Sequence, residues 1–147
     1  MAKLGFFVIK AKLPSMNDYI KAINGNKYQG NSFKQEVEEL IGWYIKQALT
    51  KETLKPLGEV PCVVVIKWSE KTKRRDADNV QSSQKFILDS LQKQGVLKKD
   101  SRKYVKQIIH EIVEGQEDEV RVELHPYNEQ KWEWLCGRIE EVFGVTP

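Results

Sequence analysis

Cysteine is nearly absent from this chain of 147 residues: there are only two, Cys62 and Cys136, 74 positions apart and with no CxxC pair. That excludes a disulfide framework and a zinc knuckle, and it makes a reducing cytoplasm the expected setting. Long apolar runs are missing as well. The longest, Cys62 to Ile66, falls far short of the roughly 20 residues a spanning helix needs, and the opening MAKLGFFVIKAK has no small-residue cleavage site after its short apolar stretch. The expectation is a protein that is neither exported nor membrane-embedded. Histidine is scarce, with only His110 and His125, and there is no GxxxxGK[ST], no GxGxxG after a strand and no GxSxG. Nucleotide-binding loops and a serine-hydrolase elbow are therefore unsupported.

What is present is a hydrophobic content of 40% and a charged content of 31%, enough apolar residues for a core and enough charge for solubility. The length fits one domain. The net charge of +3 hides an uneven distribution. Between Lys71 and Lys103 ten basic residues face four aspartates, a balance of +6; from Glu111 to Glu141 ten acidic residues face three basic ones, a balance of −7. A basic stretch of this kind attracts polyanions such as nucleic acid, although a solvated loop carries the same charges.

Periodicity gives the order β-α-β-α-β-β-α, a single layered α/β domain with a mixed sheet packed by helices. Phe6 to Leu13 reads as a first strand ended by Pro14, and the Asn- and Gly-rich residues that follow read as a polar loop. Tyr19, Tyr28, Lys21 and Lys27 in that loop are candidates for touching DNA. Ser32 is placed as the cap of a helix running to about Leu49, and Cys62 to Trp68 is β-branched enough for a central strand. A second helix is expected from Asp78 or Asn79 to just before Gly95, burying Val80, Ile87, Leu88 and Leu91. Tyr104 to Val113 and Glu119 to Leu124, joined by EGQED, read as a β-hairpin that sets His110 near Arg121 and away from His125, so a shared zinc site is not expected. Trp132, Leu135, Ile139, Val142 and Phe143 form one face of an amphipathic helix over about 128–143.

The segment that carries chemistry is Arg74-Arg75-Asp76-Ala77-Asp78-Asn79, with Asp100 about twenty residues on. Two aspartates two apart on an extended backbone point the same way and can share one ion. A third carboxylate brought in by the turn after the helix would complete a site for a hard divalent cation such as Mg²⁺. By itself the pair is a weak motif, since one aspartate can cap the helix and the other can pair with an arginine. Lys85 falls seven residues after Asp78 on the same helical stripe and suits an anionic phosphate or leaving group; Asp89, some 16 Å along a helix from Asp78 at roughly 1.5 Å per residue, is too far to bind the same metal and is read as a partner for Lys85 or a cap for the neighbouring loop.

The string RRDADNVQSSQKFILDSLQKQGVLKKD resembles the signature of the RusA family of Holliday-junction resolvases, carried by phages and prophages. The matching residues are Arg75, Asp76, Asp78, Asn79, Lys85, Asp89, Leu91, Gly95 and Asp100, and LPSMNDY also looks like the family's opening after its first strand. Two features depart: about three extra residues separate Asp78 from Lys85, and Lys99-Asp100 stands where the family carries a double acid. The likeness covers about residues 4–125 and does not reach the last helix. It implies a homodimeric, Mg²⁺-dependent endonuclease (Mn²⁺ substituting) that binds four-way DNA junctions and nicks two strands symmetrically. Asp76, Asp78 and Asp100 would hold the metal and, with Lys85, act in catalysis. Lys73, Arg74, Arg75, Lys85, Lys99 and Arg102 would bind DNA, in bacterial cytoplasm. The alternatives are a non-catalytic junction or single-strand binding protein, and a nuclease indifferent to DNA structure.

Overall fold

The computed structural model describes residues 4–71, 80–98 and 103–127. The elements run β1 (Gly5–Ile9), α1 (Met16–Gly25), α2 (Lys27–Thr50), β2 (Cys62–Ser69), α3 (Gln84–Lys93), β3 (Val105–Ile112) and β4 (Glu119–Pro126). Four strands make one mixed sheet in the order β1-β4-β2-β3, with β2 parallel to β3 and antiparallel to β4. The expected α/β class with a mixed sheet packed by helices is what forms. The expected C-terminal helix lies outside the described residues.

The expected hairpin does not form. β2 lies between β3 and β4, so that Trp68 has Ile112 on one side and Val120 on the other. Residues 113–118 therefore cross the end of β2, a span of two strand spacings or about 10 Å. Three hydrogen bonds hold that crossing: Val113 N donates to Trp68 O at 2.9 Å, Ser69 Oγ to Glu117 O at 2.8 Å, and Lys71 N to Asp118 Oδ1 at 2.8 Å. Gly115 passes so close that an added Cβ would stand 2.0 Å from Ser69 Oγ. The most apolar strand thus takes neighbours on both edges, which suits its Val- and Ile-rich sequence.

The Asn- and Gly-rich stretch is helical and not a loop. Ser15 and Asp18 form a reciprocal capping box at the start of α1, and Asn26 caps α2 by accepting from Gln29 N at 2.7 Å. Ser32 therefore lies inside α2. Alternate residues of the sheet (Phe7 and Ile9; Cys62, Val64, Ile66 and Trp68; Val120, Val122 and Leu124) share one core with Val37, Ile41, Ile45 and Ala48 of α2 and with Phe86, Ile87 and Leu91 of α3. The helices accordingly cover one face of the sheet. The expected buried side of the second helix is correct at all four positions, and Gly95 follows it with a φ of +77°, the left-handed conformation that ends helices. On the other face, Glu123 is buried among Arg121 at 2.6 Å, His125 at 2.9 Å and Lys67 at 3.6 Å, and Arg121 lies over the Phe6 ring. Among the described residues no helix is long and apolar enough to cross a membrane.

Candidate active site

Most of the residues that the sequence singles out, Lys73, Arg74, Arg75, Asp76, Asp78, Lys99, Asp100 and Arg102, lie outside the described residues. The described chain fixes what flanks them. Residues 72–79 follow the Ser69 end of β2, where Lys71 is tied to Asp118, and are followed by two helical residues, 80–81, that lead into α3. Residues 99–102 precede β3 at the other end of β2, where Lys98 Nζ donates to Glu59 Oε1 at 2.8 Å and Cys62 N donates to Tyr104 O at 2.7 Å. α3 runs from the first region to the second.

The start of α3 is secured from two sides. From α1, Met16 N donates to Ser82 Oγ at 3.0 Å, and the Tyr19 ring meets Phe86 edge-on at 5.6 Å and Phe33 at 6.0 Å. Tyr19 is thus half-buried in an aromatic contact, while Tyr28 and Lys21 are exposed on the helices that replaced the expected loop. From β3, His110 lies between buried Trp68 and Gln84: Trp68 Nε1 donates to His110 Nδ1 at 2.9 Å, and His110 Nε2 lies 2.6 Å from Gln84 Oε1. Burial pushes the His110 pKa below its usual 6.5. Sequence reasoning misses this contact because it places His110 in a hairpin with β4, and the strand between them is β2. The two histidines lie on opposite faces of the sheet, His125 bonding to Glu123.

Lys85 sits on the first turn of α3 with 63% of its side chain exposed, and its Nζ is 3.9 Å from Asp89 Oδ2. Asp89 also has Lys34 of α2 at 3.8 Å, and Glu38, four residues beyond Lys34, pairs with Lys93. This ladder joins α2 to α3, and the expected Lys85–Asp89 pairing is present. An exposed pair at this distance contributes little, so it restrains the Lys85 ammonium weakly. Among the described residues no group of three His, Cys, Asp or Glu side chains is placed to hold a metal ion.

No curated protein matches the chain. The family model for endodeoxyribonuclease RusA does, over residues 5–125, from the first residue of β1 to His125 in β4 and through both spans that carry the aspartates. With the match covering the three helices described and all of the sheet but the last residue of β4, the chain belongs to the RusA endodeoxyribonuclease family.

Proposed function

We propose that the protein is a Mg²⁺-dependent endonuclease that resolves four-way DNA junctions by paired, symmetric nicks, acting as a homodimer. The observation that supports this most is the family match, because it includes Asp76, Asp78 and Asp100 together with the basic residues beside them. Three carboxylates are hard oxygen donors of the kind Mg²⁺ takes, so the donor set suits the ion, with Asp76, Asp78 and Asp100 holding it. When bound, such an ion lowers the pKa of water and offsets charge on the phosphate oxygens.

The chain's own groups do the rest. Arg74 and Arg75, with Lys73, Lys99 and Arg102, neutralise the DNA backbone and hold the scissile phosphate in register. Lys85, paired among the described residues with Asp89 across 3.9 Å, swings to a phosphate oxygen and stabilises the charge that develops as the 3′ oxygen leaves. One chain carries one acidic set, and two matched incisions need two, which a two-fold dimer supplies.

The test is a synthetic four-way junction incubated with purified protein and Mg²⁺. The expected result is two nicked duplexes from the junction, little cutting of linear duplex of the same sequence, and a dimer by sedimentation. Binding without cutting in Mg²⁺ or Mn²⁺ overturns the enzymatic reading, and equal cutting of junction and duplex overturns the junction specificity.

A further inference from the structure

His110 connects the strand that leads into the acidic segment with the helix that follows it. Trp68 is the penultimate residue of β2, and Gln84 is the first residue of α3. Between them lie Asp76 and Asp78, so the two hydrogen bonds of one imidazole clamp the two supports of that segment. The bonds also fix the tautomer. An indole N–H can only donate, so His110 Nδ1 must be the unprotonated, accepting nitrogen. Nε2 then carries the proton and donates to Gln84 Oε1. The ring stacks on Trp68 at 5.9 Å between centroids and 18° between planes, which leaves it little freedom to turn away.

We infer that His110 is a positioning residue of the nuclease, holding the start of α3 against the end of β2 only while its imidazole is neutral. Protonation puts a hydrogen on Nδ1, and two N–H groups then face each other across 2.9 Å. The Trp68 N–H, in a side chain 1% exposed, loses its acceptor, and water cannot easily replace it. The strut opens, and the Gln84 end of α3 loses its tie to Trp68 while the core beneath it stays packed.

The charged surroundings leave this switch to His110 itself. From β2 the facing side chain is Trp68 and from α3 it is Gln84, both uncharged. On β3 the adjacent Glu111 is exposed and alternates to the opposite face of the sheet, and Lys106 lies four residues back and is exposed. On α3 the neighbouring Lys85 is directed to Asp89. Among the described residues, then, no carboxylate compensates a protonated imidazole. Burial alone moves its titration, and moves it downward.

This inference rests on the nuclease reading for its consequence but not for its geometry, so the experiment has two independent readouts. The first is the indole Nε1–H resonance of Trp68 in the full-length protein, assigned by loss in Trp68→Phe and followed by NMR from pH 8 to pH 5. It should shift along a single titration below pH 6.5 and stay still in His110→Asn, whose side-chain oxygen can accept from the indole but does not titrate. The second is the pH profile of junction cleavage. Wild-type rate should fall on acidification below pH 6.5 with the same midpoint as the Trp68 resonance; His110→Asn should keep its rate at pH 7 within about threefold and lose that acid limb; and His110→Phe, with no acceptor, should be slower across the whole range. A Trp68 resonance indifferent to pH while His110 titrates overturns the strut. A shifting resonance with an unchanged acid limb in His110→Asn overturns its role in positioning. Absence of cleavage by the wild type at every pH overturns the nuclease reading and leaves the NMR result to decide the strut.

Discussion

The two ends of β2 are closed by different physics. At the Ser69 end the closure is polar: the crossing chain bonds to Trp68, Ser69 and Lys71, and His110 joins Trp68 to Gln84. At the Cys62 end it is apolar, with Cys62, Val96, Leu97 and Tyr104 at 7% exposure or less. Burial there raises the Cys62 thiol to about 11, so that it stays a protonated, small hydrophobe at any ordinary pH. In sequence, Asp76 and Asp78 follow β2, and Asp100 comes shortly before β3. The comparison teaches that one end of β2 is held by groups whose hydrogen bonds depend on the protonation of His110, while the other is held by packing, beside a Lys98–Glu59 pair that keeps its charges between pH 5 and 8.

The largest effect is expected where the two parts meet in function. Asp78→Asn and Asp100→Asn should each lower junction cleavage by several kcal/mol of transition-state stabilisation, on the order of 10³-fold, because each loses a metal-holding carboxylate. Binding should stay equal or tighten, since one charge repelling the phosphates is gone. Gel-shift titration in Ca²⁺ beside cleavage in Mg²⁺ separates the two. A variant that cuts at wild-type rate removes its aspartate from the site and breaks the symmetry between the two ends.

Next comes packing at the apolar end. Leu97→Ala should reduce unfolding free energy by about 2–5 kcal/mol, the usual cost of truncating a fully buried leucine, measured by urea denaturation. The loss should be the same at pH 7.5 and pH 5. A loss that grows on acidification would mean that this end also contains a titrating support.

At the polar end, Gly115→Val should cost about 1–3 kcal/mol, because its side chain enters the space of Ser69, whose Cβ is only 3.2 Å from an added Cβ. Ser69→Ala in the same background should recover part of the loss by removing the Oγ that clashes. Failure to recover would show that the crossing adjusts by moving backbone and is not held as tightly as its three hydrogen bonds imply.

The same contrast explains what could be read from the chain. Helix α2, strand β2 and the buried side of α3 are legible because each is a local periodic pattern: Val37, Ile41 and Ile45, or Val80, Ile87, Leu88 and Leu91. α1 is missed although its signal is present in Ser15-Met16-Asn17-Asp18, a capping box obscured by the Asn and Gly residues that follow. The misassigned hairpin is of another kind. Alternation reveals that 105–112 and 119–126 are strands but not which edge each will take, and a short link between two strands favours pairing them. What overrides that preference is long-range: β2, apolar without a break from Cys62 to Ile66, takes both as neighbours. With the pairing wrong, the partners of His110 cannot be found, because Trp68 is 42 positions away and Gln84 is 26. The acidic signature and Lys85 are legible because they lie in one contiguous stretch.

The smallest effect tests the polar end alone. His110 has its folded pKa lowered from 6.5 by burial, so the unfolded chain takes up the proton first. Its contribution to stability is therefore complete above pH 6.5, is lost as pH falls from 6.5 toward the folded value, and does not change further below it. Among the described residues, the other shifted groups stay out of that window. Glu59 is held below 4.5 by its hydrogen bond to Lys98, Lys10 and Lys98 are held above 10.5 by hydrogen bonds to Glu119 and Glu59, and Cys62 titrates near 11. Between pH 6.5 and 5 the urea midpoint of the wild type should fall, that of Leu97→Ala should fall in parallel from a lower start, and that of His110→Asn should fall less. Parallel slopes in all three would mean that His110 keeps its partners when protonated, and the polar end would then be as indifferent to pH as the apolar one.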